Sequence, residues 1–217
     1  MPDSLMVIFS LGGALLARRL RSRSVRCRTA FVPLSGPPQV MISPWPGTEE
    51  RTRGLMAEGR LKMVAADGSE VASRPLPDVT DGAAIARADD LELFGFTATT
   101  LWTWVGLPLA LSSPGVRTVD RGGGIVDVTL PDGWPGAGNR HRLHLDNEGR
   151  VVRHEEGRFV HHLSGHCVFG AADLGTTGAG SQRDVTVATR RRTTLGDRVT
   201  VLWADVVAAA VHPGVAT

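Results

Sequence analysis

Most of the histidines of this chain fall in one short stretch, where chemistry is first to be sought. Six of the seven histidines lie between positions 141 and 166, namely His141, His144, His154, His161, His162 and His166. Glu155 and Glu156 lie among them. An imidazole beside a carboxylate can move protons near neutral pH. We therefore take His166, His144 and Glu155 as the candidate acid–base residues.

The spacing of these histidines matches no common metal-binding pattern. Residues two apart on a strand share a face, so His154 and Glu156 can converge, as can His162 and His166. A zinc ion needs three or four converging ligands, and neither H-E-x-x-H nor C-x-x-C occurs. We therefore predict no metal and no other cofactor. Surface or cross-strand histidines are favoured over an acid–base pair facing a cavity.

Three consecutive arginines form a second polar cluster. Strand alternation places Arg190 and Arg192 on one face and Arg191 on the other, so one face can point inward. A buried guanidinium needs a carboxylate or an anionic ligand group as its partner. We take Arg190 as the candidate anchor for a ligand, and a solvated strand face is the alternative.

The charge balance argues against a dedicated nucleic-acid binder. The 217 residues carry 24 basic and 22 acidic side chains, with Lys62 as the only lysine and no tyrosine. A nucleic-acid-binding domain shows a strong basic excess. Cys27 and Cys167 match no metal spacing, and we expect free thiols in a reducing cytoplasm. The length is sufficient for one domain with a sizeable core.

Residues 5–17 form an apolar run with Asp3 before it and arginines after it. A secretory signal has the opposite charge order, and the run is shorter than the roughly 20 residues that span a bilayer. We predict a packed N-terminal helix over residues 1–22, with an interfacial membrane helix as the alternative. The apolar stripe of this helix would comprise Leu5, Ile8, Phe9, Gly12, Leu15 and Leu16.

From residue 23 onward the sequence predicts mainly strands. Apolar and polar residues alternate over 25–32, which is typical of a half-buried strand. Asp67-Gly68 and the glycine-containing segments 121–124 and 146–149 predict hairpin turns. The segments 159–169, 185–193 and 198–207 are further strand candidates, and residues 208–217 are predicted to be a tail.

One internal helix is predicted over about 83–107, within a single domain of residues 23–207. It begins acidic and becomes rich in aromatic residues, among them Trp102 and Trp104. A helix among hairpins predicts the α+β class, in which an antiparallel sheet meanders and helices pack on one face. A curved sheet must bury its concave face, and the tryptophan-bearing helix is the natural element to fill it.

Several segments resemble one family of uncharacterised actinobacterial proteins. In that family an acidic, aromatic helix precedes a Pro-Gly-Val strand, and an aromatic hairpin and an arginine triplet follow. The segments that carry the resemblance are 89–96, 101–104, 114–116, 142–154, 166–167 and 188–192. They occur in the family's order and cover roughly residues 25–207.

Members of that family look like LolA-type half-barrels, which resemble lipoprotein carriers. The resemblance implies a strongly curved antiparallel sheet, with helices on its concave face and an apolar ligand beneath them. Trp102, Trp104, Phe94 and Phe96 are the candidate ligand-binding residues. Such aromatic residues belong more often to the core than to a ligand site, and in a half-barrel the two interpretations overlap, because residues under the helix line whatever cavity remains. The family's tyrosines are replaced here, for example at His144, so any chemistry that uses a tyrosine hydroxyl does not carry over.

These observations predict a protein that binds an apolar small molecule, such as a lipid-like or polyketide-like metabolite. The alternative is an enzyme of secondary metabolism, a cyclase or isomerase, that uses a histidine–carboxylate pair in the same cavity. A third hypothesis is a structural or interaction protein with a filled core. Nucleic acid is not an expected partner, and contact with a membrane surface is not favoured.

Overall fold

The computed structural model describes residues 3–13, 24–45, 52–76, 90–170, 184–195 and 199–212. Before the helical part, the strands are β1 (Ser4–Gly12), β2 (Ser24–Pro33), β3 (Gln39–Ser43), β4 (Arg53–Ala57), β5 (Arg60–Val64) and β6 (Glu70–Pro75). After it come β7 (Arg117–Gly122), β8 (Ile125–Thr129), β9 (His141–Leu145), β10 (Val151–Glu156), β11 (Phe159–Phe169), β12 (Val185–Leu195) and β13 (Val199–His212).

Within the described residues, thirteen strands form one antiparallel sheet that does not close on itself. Their order is β6-β5-β4-β3-β2-β1-β13-β12-β11-β10-β9-β8-β7. Each half of the sheet is a meander, because neighbouring strands are also consecutive in the chain. The pairing of β1 with β13 joins the two halves. The sheet is therefore open, with β6 and β7 at its edges, and the predicted antiparallel meander is confirmed.

The sheet curves so that its two halves approach each other. Ten strand spacings separate β5 from β8, which in a flat sheet is about 48 Å. Yet a Cβ added at Gly59, in the β4–β5 turn, would lie 3.5 Å from the carbonyl oxygen of Gly133, in the β8–β9 connection. Such a contact requires strong curvature, which is consistent with a half-barrel.

The helical segment consists of α1 (Asp90–Leu101), a π-helical turn (Trp102–Gly106) and a short helix α2 (Leu107–Leu109). Glycines allow it to approach the sheet closely. The Phe94 ring fills the space where a side chain at Gly54 of β4 would lie, and it packs edge-on against Trp45 with ring centroids 5.3 Å apart. At the other end, Gly106 faces Val32 of β2, 3.1 Å from the position of an added Cβ.

The predicted N-terminal helix is wrong for the residues that the structure describes. Residues 4–12 form β1, the strand that pairs with both β2 and β13. Leu5, Val7, Phe9 and Leu11 are all fully buried, which is the period of two expected for a strand. Since Met6 and Ile8 on the opposite face are also apolar and partly buried, residues 5–9 are apolar on both faces, which hides this period. Residues 14–22 lie outside the described residues.

Two other boundaries differ from the predictions. The predicted tail does not begin at residue 208, because strand β13 continues to His212, where it pairs with β1. The predicted helix over 83–107 is described only from Asp90, and it extends to Leu109. Cys167 is a free thiol, as predicted, but it is exposed rather than buried as two isolated thiols usually are. The side chain of Cys27 is outside the described part. Within that part, no helix is long and apolar enough to cross a membrane.

The position of β1 in the sheet leads to a test that separates strand from helix. In the strand, Val7 is fully buried and Ile8 is only partly buried, whereas the predicted helix stripe included Ile8 and omitted Val7. We expect Val7→Ala to lower the free energy of unfolding by about 2 kcal/mol, because truncating a buried side chain leaves a cavity. Ile8→Ala should cost less despite the larger truncation, as measured by urea denaturation. A larger loss for Ile8→Ala would contradict the strand assignment.

Candidate functional site

A cavity of about 360 Å³ lies between the C-terminal end of the helical segment and strands β9 to β12. Its apolar lining includes Trp104, Leu109, Leu145, Leu163 and Val187. Sites for small molecules range from roughly 300 to 1,000 Å³ and are lined mainly by apolar side chains. The cavity is therefore at the small end of the range for a ligand site.

The β9–β10 hairpin gives one side of this cavity a charged edge. Glu148 and Arg150 both line the cavity. The Arg150 guanidinium lies 2.7 Å from a carboxylate oxygen of Glu148 and 2.7 Å from one of Asp146. Hydrogen bonds from the backbone and side chain of Arg150 hold the pKa of Asp146 below its usual value. The edge is thus a compact, ionised cluster next to an apolar interior.

Trp104 lines the cavity and also carries a buried polar group without a partner in the described part of the chain. The side chain is only 2% exposed, and its indole N–H finds no hydrogen-bond partner among the described residues. A buried donor without an acceptor costs roughly 1–3 kcal/mol. An acceptor oxygen on a bound molecule would remove that cost.

The other three predicted cavity aromatics do not line this cavity. Phe94 and Trp102 are 0% and 2% exposed and belong to the hydrophobic core, and Phe96 is partly buried against it. Trp102 packs edge-on against Trp134 with ring centroids 5.6 Å apart. The helix therefore uses most of its aromatic residues for packing and places only Trp104 at the cavity.

The predicted acid–base residues do not come together. His166 lines the cavity and donates its Nε2–H to the backbone oxygen of Val151 at 3.0 Å. His144 instead pairs with Glu155, with Nε2 and Oε1 2.9 Å apart. Alternation along β9 places His144 on the face opposite the buried Leu143. The predicted set is thus divided between the two faces of the sheet.

The inward arginine is Arg191 rather than the predicted Arg190. Arg191 is 3% exposed, whereas Arg190 is exposed, so the expected alternation is present with the opposite phase. Arg192 lies on the outer face with Arg190, and its guanidinium is 3.0 Å from a carboxylate oxygen of Asp205 in β13. This ion pair stabilises Arg192 on the outer face, so Arg191, between the two outer arginines, lies on the inner face.

Arg191 fastens the helical segment to the sheet through neutral acceptors. Its Nη1 donates to the backbone oxygen of Thr100 at 2.7 Å and to the hydroxyl of Thr103 at 3.0 Å. Both acceptors lie at the junction of α1 with the π-helical turn. On the sheet side, Nη2 lies 3.0 Å from Nδ1 of His161, and Nε lies 3.3 Å from the Thr193 hydroxyl. Burial lowers the pKa of Arg191 to about 10, so it remains charged at neutral pH.

Arg191 Nη2 lies 3.0 Å from Nδ1 of His161 and 3.3 Å from Nε2, and because arginine can only donate, the shorter contact favours the tautomer with its lone pair on Nδ1. Its Nδ1 accepts from Arg191 and from the Thr193 hydroxyl, which is 2.9 Å away. The neutral ring therefore carries its proton on Nε2, which lies 3.7 Å from Oε2 of Glu156. Burial and the nearby Arg191 charge lower the pKa of His161 to about 4. Burial alone would raise the pKa of Glu156, but the neighbouring ring of His161 and the nearby His141 and His154 hold it below its ordinary value.

Two further buried histidines adjoin Glu156. His141 and His154 are 0% and 2% exposed, and Nδ1 of the first lies 3.0 Å from Nε2 of the second. His141 Nε2 donates to the backbone oxygen of Gly136 at 2.9 Å. Burial and the neighbouring His161 lower the pKa of His154 well below its usual value. The predicted convergence of His154 with Glu156 is confirmed, whereas His141 and His161 joined them without being predicted.

The role of Arg191 leads to a stability prediction. Arg191→Gln should lower the free energy of unfolding by about 3–5 kcal/mol, because removing one partner of a buried charged network leaves the others unsatisfied. The matched change Arg190→Gln, at the exposed neighbour, should stay within about 0.5 kcal/mol of the wild type. Urea denaturation measures both. Equal losses in the two variants would contradict the assignment of Arg191 as the inward residue.

The lowered pKa of His161 leads to a pH prediction. The unfolded chain binds this proton near pH 6.5 and the folded protein only near pH 4, so acidification across this interval favours unfolding. The neutral His161 ring contributes on the order of 3 kcal/mol to the free energy of unfolding. This contribution is fully present above pH 6.5 and is lost by about pH 4. His161→Gln should flatten the stability profile over this window, whereas His162→Gln at the exposed neighbour should not. An unchanged slope in His161→Gln would refute the assignment.

No family model matches the sequence, and a search of curated proteins finds no match. Among solved structures, the fold is similar to a domain from Vibrio parahaemolyticus described as an outer membrane lipoprotein-sorting protein. The TM-score is 0.50 at 7% sequence identity, over 98% of this chain and 87% of that one. At this identity the similarity shows the fold alone, which is LolA-like. The narrower resemblance to an actinobacterial family stays a prediction.

Proposed function

We propose that this protein binds an apolar small molecule, such as a lipid acyl chain, in the cavity beside Trp104. In this proposal the helical segment packs on the concave face of a half-barrel, and the ligand occupies the space that it leaves open. The observation that carries the proposal is the cavity of about 360 Å³ with its largely aliphatic and aromatic lining. Filling this space removes apolar surface from water, which is the main driving force for such binding.

The polar groups of the site favour a ligand that also has an oxygen acceptor. The indole N–H of Trp104 lacks a partner among the described residues, and Arg150 stands with Glu148 at the charged edge. A fatty-acid-like molecule combines the alkyl chain that the apolar lining accommodates with an oxygen acceptor for the Trp104 N–H. The Arg150 guanidinium is already paired with Asp146 and Glu148 and supplies no free positive charge for the ligand. The small volume favours one acyl chain over a large polycyclic metabolite.

The structural neighbour is compatible with this proposal but does not carry it. The description of that domain concerns the sorting of lipoproteins. A lipid-handling role for the present chain is a part of our proposal. A cytoplasmic location is likewise part of the proposal and follows from the sequence features alone.

The enzymatic alternative has less support. A cyclase or isomerase of secondary metabolism would need an acid–base pair at the cavity, and His166 is the only one of the three predicted residues that lines it. The His144–Glu155 pair lies elsewhere and is further engaged by Arg153, 3.1 Å from the same carboxylate oxygen. Binding without chemistry is therefore the function that the geometry supports best.

Filling the cavity provides a direct test of the proposal. Ala188 lines the cavity and is 7% exposed. We expect Ala188→Phe to weaken binding of a fluorescent long-chain fatty acid at least tenfold, because its ring would occupy the volume that the alkyl chain needs. The matched variant Ala208→Phe, at an exposed position of β13, should bind like the wild type.

Circular dichroism and thermal denaturation would establish that both variants remain folded. If the wild-type protein does not bind the fatty acid, the proposal fails. It also fails if Ala188→Phe, while folded, retains wild-type affinity, since the ligand would then lie elsewhere.

A further inference from the structure

We propose that His141, His154 and Glu156 form a binding site for a divalent transition-metal ion of the class of Zn²⁺. The sheet register brings these residues together, because His141 of β9 pairs with Glu156 of β10, and His154 is two residues earlier on the same strand. Their potential ligand atoms all lie within 4.8 Å of one another. Two imidazoles and one carboxylate are ligands that bind zinc in proteins.

The hydrogen bonds of His141 orient it as a metal ligand. A backbone carbonyl can only accept, so the contact between Nε2 of His141 and the Gly136 oxygen places the proton on Nε2. In the neutral ring, Nδ1 then carries a lone pair that points toward Nε2 of His154, 3.0 Å away. Metal-bound histidines typically donate their other ring N–H to a carbonyl or carboxylate, which fixes the tautomer and ring orientation. His141 already makes such a bond.

Neighbouring side chains also orient the carboxylate of Glu156. Asn139 donates from Nδ2 to Oε1 at 3.1 Å, and the Nε2–H of His161 faces Oε2 at 3.7 Å. His161 itself is not a ligand, because its Nδ1 lone pair is already used by Arg191 and Thr193. Its role is to orient the carboxylate, and the protein ligands number three.

Only a modest adjustment closes the site around an ion. Bonds of about 2.0–2.1 Å at a tetrahedral centre set ligand atoms about 3.3 Å apart. The two imidazole nitrogens are 3.0 Å apart, already close to that separation, and Nε2 of His154 donates its proton to Nδ1 of His141. An ion would take the place of this proton, which would move to Nδ1 of His154 or to solvent. Since every separation in the set is below 4.8 Å, no pair must shorten by more than about 1.5 Å. Rotation of the Glu156 side chain can supply that movement.

The site has access to solvent through a second cavity of about 220 Å³, which is separate from the one beside Trp104. Glu156, Asn139 and Gly136 line it together with Trp134. An ion held by three protein ligands keeps a coordination position for water or for an oxygen of an entering molecule. This arrangement resembles that of open rather than purely structural zinc sites. The inference does not depend on the proposed binding of an apolar ligand.

The experiment titrates ZnCl₂ into the full-length, chelator-treated protein and measures heat and stoichiometry. We expect one Zn²⁺ per chain, and we expect Glu156→Gln and His154→Gln each to weaken binding at least tenfold. The His144–Glu155 pair offers matched controls on the opposite face of the same two strands. His144→Gln and Glu155→Gln should bind within twofold of the wild type.

A wild-type measurement keeps the test decisive if a buried variant does not fold. In ¹⁵N spectra of the histidine rings, Zn²⁺ should shift Nδ1 of His141 and Nε2 of His154 and leave His144 unchanged. The proposal is overturned if the wild type binds no stoichiometric Zn²⁺, if folded Glu156→Gln binds as tightly as the wild type, or if the shifts occur at His144 instead.

Discussion

The buried guanidinium of Arg191 is the interaction on which the arrangement of helix and sheet depends. It joins the backbone of Thr100 and the hydroxyl of Thr103 to His161 on β11. A charge this deeply buried is tolerated only when its donors are satisfied, so the helical segment, β11 and β12 must keep their relative positions. The cavity beside Trp104 lies next to this junction and takes its shape from it.

A second consequence of Arg191 is the electrostatic state of the inner histidines. Its donors occupy Nδ1 of His161, so the single N–H proton of the neutral ring is on Nε2 and faces Glu156. The positive charge and the burial together keep His161 neutral at neutral pH, and the neighbouring histidines keep Glu156 ionised against the effect of its own burial. One inward arginine thus fastens the helix, sets a histidine tautomer and leaves a carboxylate oriented beside His141 and His154. These are the features from which the proposed metal site is built.

Most strands could be predicted because their turns carry their own chemistry. Asp67-Gly68 and the segment 146–149 predicted hairpins, and the structure has them between β5 and β6 and between β9 and β10. The N-terminal run could not be assigned, since a central strand that is apolar on both faces has no visible period. The sequence also does not show which strands pair or in which register. The convergence of His154 with Glu156 follows from alternation along one strand, whereas His141 reaches them only through the register of β9 against β10. For the same reason, the sequence does not show which residues of the arginine triplet point inward, because this depends on how the neighbouring strands pair with β12.

The central claim is that an apolar chain occupies the cavity beside Trp104. A fatty acid carrying a nitroxide spin label on its alkyl chain tests it most directly, through broadening of methyl NMR signals. The account predicts selective broadening at Leu163 and Val187, which line the cavity, with little effect at the exposed Val71 and Val207. Broadening centred on Val71 or Val207, or none at Leu163 and Val187 at saturating fatty acid, would contradict it.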